Sequence, residues 1–343
     1  MRIAVVFNTP YPRWTPEQHL QQMRDELAGK TGNEPELEYQ VAEALESNRH
    51  EVLLIGVHDD LRVILDHCSA WKPDLVVNCA EAFRDARHDF VFPALLETCG
   101  VRYTGSPPLG LLVTRDKAMS KKILAYHGIQ VPSFETWNPN EPVGEVSLRF
   151  PLIVKPLASD ASEGIAQASV VSDAAELRER VAFVHQRFEQ AAIAEEFIEG
   201  RELYASMIGN DDTLEVLPLT ELVFDKEKNA PEERIATQTT KWDAPYRRRK
   251  GIRYQFARPV SAAAKERIEA ICRTACKALW LRDYGRIDVR LSNDDDVWVL
   301  EANANPFIAR GHEVANAADK IGLPYPKFIQ RIVSEAVRRY DRT

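Results

Sequence analysis

Apolar and polar residues follow two rhythms along this chain, and the rhythm changes near residue 110. In the first hundred residues, short apolar runs at 3–9, 51–57, 74–79 and 101–104 read as buried strands. Between them, stretches at 39–46, 59–71 and 90–99 repeat apolar residues every three or four positions and read as helices. A short helix is also expected around 16–28, within a polar connection covering 11–36. Strands separated by helices at this spacing build βαβ units and a parallel sheet. Beyond a proline-stiffened junction at 105–110, a helix is expected over 111–127, then a polar stretch to 149. Strands follow at 150–156, 165–171, 191–198 and 202–208. Asp173 is placed as the N-cap of an amphipathic helix ending near Phe188. From 214 onward come a strand, a charged loop, a helix at 261–281, a strand pair and a terminal helix at 325–340.

The strand pair carries the first chemical signal. It runs from Gly285 through Leu291, turns in a polar segment, and returns from Val297 to Asn303. With Asp288 opposite Glu301, residues Ile287, Val289, Leu291, Trp298, Leu300 and Ala302 share one face. Arg286, Asp288, Arg290, Val299, Glu301 and Asn303 share the other. A slip of one residue mixes the two sets, so the pattern selects this register. The turn then spans 292–297, or a shorter turn is combined with a bulge. The register sets two carboxylates side by side. At about 5 Å and an effective dielectric near 20, their repulsion is on the order of 3 kcal/mol. Either a hard divalent cation, with the Asn303 amide oxygen as third ligand, relieves it, or Arg286 and Arg290 do.

Composition narrows the class. The chain has 343 residues and a formal charge of -8, with no basic excess for nucleic-acid phosphates. No apolar run approaches the ~18 residues of a membrane span, and the apolar residues 3–7 are too few for a signal-peptide core. The five cysteines are odd in number and lie in apolar segments, with Cys272 and Cys276 on one helical face, as in core packing. A reduced, cytoplasmic setting is expected. No Gly-x-Gly-x-x-Gly follows the first strand, so the dinucleotide fingerprint is missing.

Four landmarks occur in order: Thr114-Arg115-Asp116-Lys117, Phe150 to Lys155-Pro156, Glu195-Glu196-Phe197-Ile198 to Glu202, and Gly285 to Asp288 with Glu301-Ala302-Asn303. Together they resemble the ATP-grasp superfamily, and within it the D-alanine–D-alanine ligases. The resemblance covers nearly the whole chain. It implies an α/β and α+β architecture: an N-terminal Rossmann-like parallel-sheet domain (1–107), a small central α+β lid (108–200) and a larger C-terminal α+β domain (201–343). It implies ATP clamped between two sheets, with Lys117, Lys155 and Lys241 on phosphates and the loop at 158–164, including Ser162, over them. Glu195, Glu196, Phe197 and Ile198 would line the adenine, and Glu202 would bind the ribose. Asp288, Glu301 and Asn303 would hold one or two Mg²⁺ ions, with Mn²⁺ as a substitute. Arg286 would stabilise the developing oxyanion, or simply pair with Asp288.

The implied reaction converts a carboxylate to an acyl-phosphate, which an amine attacks, releasing ADP and phosphate. The amino-acid side departs from the family pattern. Ala161 and Trp242 stand where the family carries a serine and a tyrosine, and Asn78 to Phe83 with His88-Asp89 replace a glycine-rich segment. Pro306-Phe307-Ile308-Ala309-Arg310-Gly311-His312 follows the metal-binding asparagine. The expected substrates are therefore amino acids or other small carboxylic acids, with D-alanine absent from at least one position. Arg310, His312 and Trp242 are candidate substrate contacts. The cationic segment Tyr246 to Lys250 is either a solvated face or an attractor of anionic substrate. A homodimer is what the family suggests. Three alternatives stay open: a true D-alanine–D-alanine ligase, an ATP-grasp kinase that stops at phosphorylation, and a nucleotide-binding protein without turnover.

Overall fold

Ile3 to Phe7 are buried along their whole length, as a parallel strand covered on both faces must be. In the computed structural model, which describes residues 1–9, 37–81, 86–159 and 162–342, this strand is β1 (Arg2–Asn8). It lies between β2 (Glu51–Val57) and β3 (Leu75–Asn78), parallel to both. Helix α1 (Leu37–Ser47) covers one face. Helices α2 (Arg62–Trp71) and α3 (Val91–Thr98) cover the other. The strand expected at 101–104 contributes a single bridge, Tyr103 to Val76. The helix expected at 16–28 lies outside the described residues.

The helix expected over 111–127 is two helices, α4 (Pro108–Arg115) and α5 (Lys117–Tyr126). Asp116 between them is extended, and its carboxylate accepts the Met119 N–H at 2.8 Å. Capping thus ends one helix and starts the next within an unbroken periodic pattern. Both helices bury apolar side chains, Leu111, Val113 and Leu124, against the largest sheet.

A small antiparallel sheet follows: β4 (Phe134–Trp137), β5 (Leu152–Pro156), β6 (Val170–Val171) and β7 (Ala192–Glu196), ordered β4-β7-β5-β6. Helix α6 (Ala174–Phe188) packs on it, with the Asp173 carboxylate accepting from the N–H groups of Ala175 and Glu176. β4 was hidden in a polar stretch. Of the strand expected at 165–171 only Val170–Val171 forms, and Gln167–Ser169 is a 3-10 turn held by the Ser169 hydroxyl.

The large antiparallel sheet contains β8 (Arg201–Ile208), β9 (Glu215–Val216), β10 (Thr220–Val223), β11 (Arg253–Phe256), β12 (Tyr284–Leu291) and β13 (Val297–Asn303). Short helices α7 (Gln238–Trp242) and α8 (Ala244–Lys250) link β10 to β11, so the cationic segment is helical. Helix α9 (Ala262–Ala278) covers the apolar face, with Cys272 in the core. Helix α10 (Glu313–Lys320), unexpected because its buried residues are mostly alanines, precedes α11 (Tyr325–Asp341). Phe328 and Ile332 of α11 return to pack beside Ile3 and Val41. Among the described residues no helix is long and apolar enough to cross a membrane.

Asp288 does face Glu301, but the ladder then skips a residue: Val289 pairs with Val299, leaving Leu300 as a bulge. Beyond that point the alternation inverts. Val297 and Val299 fill the core, while Trp298 and Leu300, expected there, are only partly buried.

Candidate active site

Antiparallel pairing places directly opposite residues on the same sheet face. One row crosses the large sheet through Glu301, Asp288, Tyr204, Thr220 and Phe256. Flanking rows bring Arg286 and Asn303 to one side of it, and Arg290 with Glu202 to the other. On the small sheet, Ile153 opposes Glu195 and Lys155 opposes Ile193, so Lys155 and Glu195 share a face. That face and the polar face of the large sheet line one cleft, together with Lys117 and Lys121 from α5.

The ionic contacts join these elements. The Lys117 ammonium is 3.1 Å from Glu301 and also donates to the Ser159 carbonyl. Lys121, one turn further on, donates to the Leu300 carbonyl and sits 3.4 Å from Glu195. Lys155 donates to Glu195 at 2.9 Å. Arg286 donates to both oxygens of Asp288, at 2.6 and 2.9 Å, and Arg290 to Glu202 at 3.0 Å. The guanidinium relief of Asp288 is therefore realised by Arg286, whereas Arg290 belongs to Glu202. Lys241 reaches the same cleft and makes no ion pair among the described residues. Among the described residues six cations face four carboxylates, an excess of two positive charges in a chain whose net charge is -8. Such an excess in a partly desolvated cleft favours a polyanion.

Ionisation follows from these neighbours. Burial alone would raise Glu301, but Lys117, Lys241 and Lys155 outweigh it and hold the carboxyl at about 2. Burial pushes Asp288 up; Arg286 offsets this only in part, and Glu301 adds to it. Burial lowers Lys121 to about 8 against the pull of Glu195. Glu195 itself is lowered, because Lys121 and Lys155 overcome its own burial.

Some of the remaining candidate residues reach the cleft, and others do not. Phe197 and Ile198 line the cleft, while the Glu196 carboxylate turns to Arg149. Ser162 is buried at the cleft with a positive φ of 61°. His312 lines a second, larger cavity and stands edge-on to Phe307 at 4.7 Å. Arg310 does not line it: its guanidinium binds Glu43 and lies over Tyr325. Trp242 ends α7, and its side chain, like residues 82–85 and 160–161, is outside the described residues. Lys121 was missed, although its position four residues after Lys117 puts both on one helix face. Thr220, Tyr254 and Phe256 were missed inside the charged loop.

The donor set suits a small hard cation. Asp288, Glu301 and Asn303 offer only oxygen, and the Asn303 amide nitrogen is buried with no partner, so turning the amide over presents its oxygen there. Two carboxylates and one amide make a sparse site that leaves room for phosphate and water.

Residues 123–334 match the family model for the D-ala D-ala ligase C-terminus, more than half of the chain. The chain belongs to the D-alanine–D-alanine ligase family. It is accordingly an ATP-dependent, ADP-forming C–N ligase. A D-alanine–D-alanine ligase of Bordetella petrii is 32% identical over 72% of this chain and 72% of that protein. An uncharacterized protein, y4sG, of Sinorhizobium fredii is 31% identical over 99% of this chain and 98% of its own length. Among solved structures, the D-alanine–D-alanine ligase of Bacillus anthracis complexed with ATP superposes with a TM-score of 0.74. It covers 100% of this chain and 99% of that one at 21% identity, a likeness of fold. Within the family, the polar cleft between the two sheets is this ligase's candidate reaction centre.

Proposed function

We propose that this ligase phosphorylates a carboxylate and joins it to an amine, with an amino acid other than D-alanine in at least one position. The observation that carries the reading is the cleft's positive excess beside the Asp288–Glu301 pair. In this reading Lys117, Lys155 and Lys241 bind phosphate oxygens, with Ser162 beside them. Glu195, Phe197, Ile198 and the Glu196 backbone border the base, and Glu202 receives the ribose hydroxyls. Asp288, Glu301 and Asn303 hold Mg²⁺, which supplies charge neutralisation along the transferred phosphate. Mn²⁺ is proposed as a substitute.

Each of this chain's groups then has a task. Lys117 and Lys155 exchange protein partners, Glu301 and Glu195, for phosphate oxygens, so ATP meets donors already aimed inward. Arg286 remains bound to Asp288, which fixes its guanidinium beside the large cavity, where it stabilises the oxyanion formed as the amine attacks. His312 and Phe307 line that cavity where the acceptor enters. The altered residues around Pro306 to His312 support the departure from D-alanine.

As working units we propose 1–107, 108–200 and 201–343, with α4 and α5 packed across the second boundary. A homodimer and a cytoplasmic setting are further proposals, the latter supported by five free cysteines. The test is ADP release by purified protein with pairs of carboxylates and amines. ADP and phosphate should appear only when both are present, and the product mass should equal their condensation. AMP and pyrophosphate, or a stable phosphorylated product without amine, would refute the reading.

A further inference from the structure

The cavity that opens beside Arg286 is far larger than two alanines require. It measures about 760 Å³, in the upper part of the roughly 300–1,000 Å³ found for pockets that enclose drug-sized ligands. Its shape follows from the strand row. From β12, which carries Arg286 at the cavity, to Phe256 on β11 there are three strand intervals: β12 to β8, β8 to β10, and β10 to β11. At about 4.8 Å per interval this is roughly 14 Å. An extended residue covers about 3.5 Å, so two alanines fill about half of that length.

The far half is furnished for a ligand. Thr220, 5% exposed, lines the cavity, and its buried hydroxyl has no hydrogen-bond partner among the described residues. Buried polar groups are nearly always hydrogen-bonded, so this one has capacity for a partner. Aromatic surfaces line the same cavity: Tyr254 and Phe256, the latter 39% exposed, on β11, and Phe307 at 38% in the segment after β13. The Lys320 ammonium lies 5.1 Å over the Phe256 ring, holding it at the mouth. Arg286, Lys241 and His312 line the cavity as well.

We propose that one of the two condensing substrates is an elongated amine, with an apolar body of aromatic size packed against the exposed Phe256 ring and a polar atom hydrogen-bonded to Thr220. This deepens the ligase reading and rests on it. The shared chemistry is met by an aromatic amino acid or by a short peptide with an apolar side chain. Binding energy from this remote half is available to lower the barrier at the reacting centre.

The experiment measures ADP release and product mass with a fixed carboxylate donor and a panel of acceptors. The panel contains each enantiomer of alanine, phenylalanine and tyrosine, and the dipeptides alanyl-alanine and alanyl-phenylalanine. At least one long acceptor should exceed alanine in kcat/KM by about ten-fold, the factor expected for burying an aromatic side chain. Which one does so separates amino acid from peptide. In Phe256→Ala and Thr220→Val that preference should fall to within about two-fold. Phe256 sits at the mouth, so its truncation leaves the core untouched and the measurement interpretable if Thr220→Val folds poorly. An alanine preference in the wild type, or a preference unmoved in both variants, overturns the inference while leaving the ligase reading intact. No ADP release with any pair overturns the ligase reading itself.

Discussion

Glu221 offers a direct test of how the cavity wall is held. Its carboxylate is 0% exposed on β10. It accepts two hydrogen bonds from the Arg201 guanidinium at 2.9 Å, and the backbone N–H of Arg258 at 3.0 Å beside that residue's guanidinium. Burial alone would raise its pKa, but the two arginines bring it from 4.5 to about 2. That shift corresponds to about 3 kcal/mol of native-state stabilisation. The folded pKa is depressed, so the contribution is complete above the unfolded value and lost as pH falls through the folded one. Glu221→Gln should therefore lower the unfolding free energy by about 3 kcal/mol at pH 7. Urea titrations should show that gap fall below half by about pH 3 and vanish below about pH 2. Because β10 and β11 carry Thr220, Tyr254 and Phe256, amide exchange in both strands should accelerate in the variant. A gap under about 0.5 kcal/mol at pH 7, or one that does not shrink in acid, refutes the argument.

Other outcomes can be stated more briefly. Asp288→Asn should reduce ADP release by at least about 100-fold, and retention of wild-type turnover by the folded variant would remove the proposed metal role. Glu301→Gln releases Lys117 and adds one net positive charge to the cleft. It should bind ATP at least as tightly without Mg²⁺ but need about ten-fold more Mg²⁺ for half-maximal turnover, and an unchanged Mg²⁺ titration would argue against Glu301 as a ligand. For Lys121 the sign is opposite to that of Glu221. Its folded pKa of about 8 lies below the ordinary 10.5, so its buried charge costs stability at neutral pH, and that cost is relieved as pH rises between those values. Wild type should gain about 3 kcal/mol on Lys121→Met across that window, read from paired unfolding curves, and a constant gap would show Lys121 to be ordinary.

Strong periodicity made much of the fold legible. The parallel sheet, the Asp173-capped helix and the Asp288–Glu301 register all follow from apolar spacing and capping chemistry. What stayed hidden was decided at single residues. Asp116 splits a helix whose apolar pattern runs through it, and Leu300 steps out of the ladder, exchanging the faces of Trp298 and Val299. On the site, cross-strand pairing of charges was readable because one face of the hairpin is polar. Lys121 escaped because its partner, Glu195, is distant in sequence. The cavity wall escaped because β10 and β11 have four residues each and are separated by a charged insertion.

The bulge at Leu300 has a mechanical consequence. Its carbonyl takes the Lys121 ammonium, whose other neighbour is Glu195 on the small sheet, while the adjacent Val299 N–H donates to the Gln130 carbonyl. The two sheets are thus tied to each other through one helix, α5. The Gln238 N–H of α7 donates to the Ile165 carbonyl at 3.1 Å, so the small sheet's loop is tied to the large sheet's side at a second place as well.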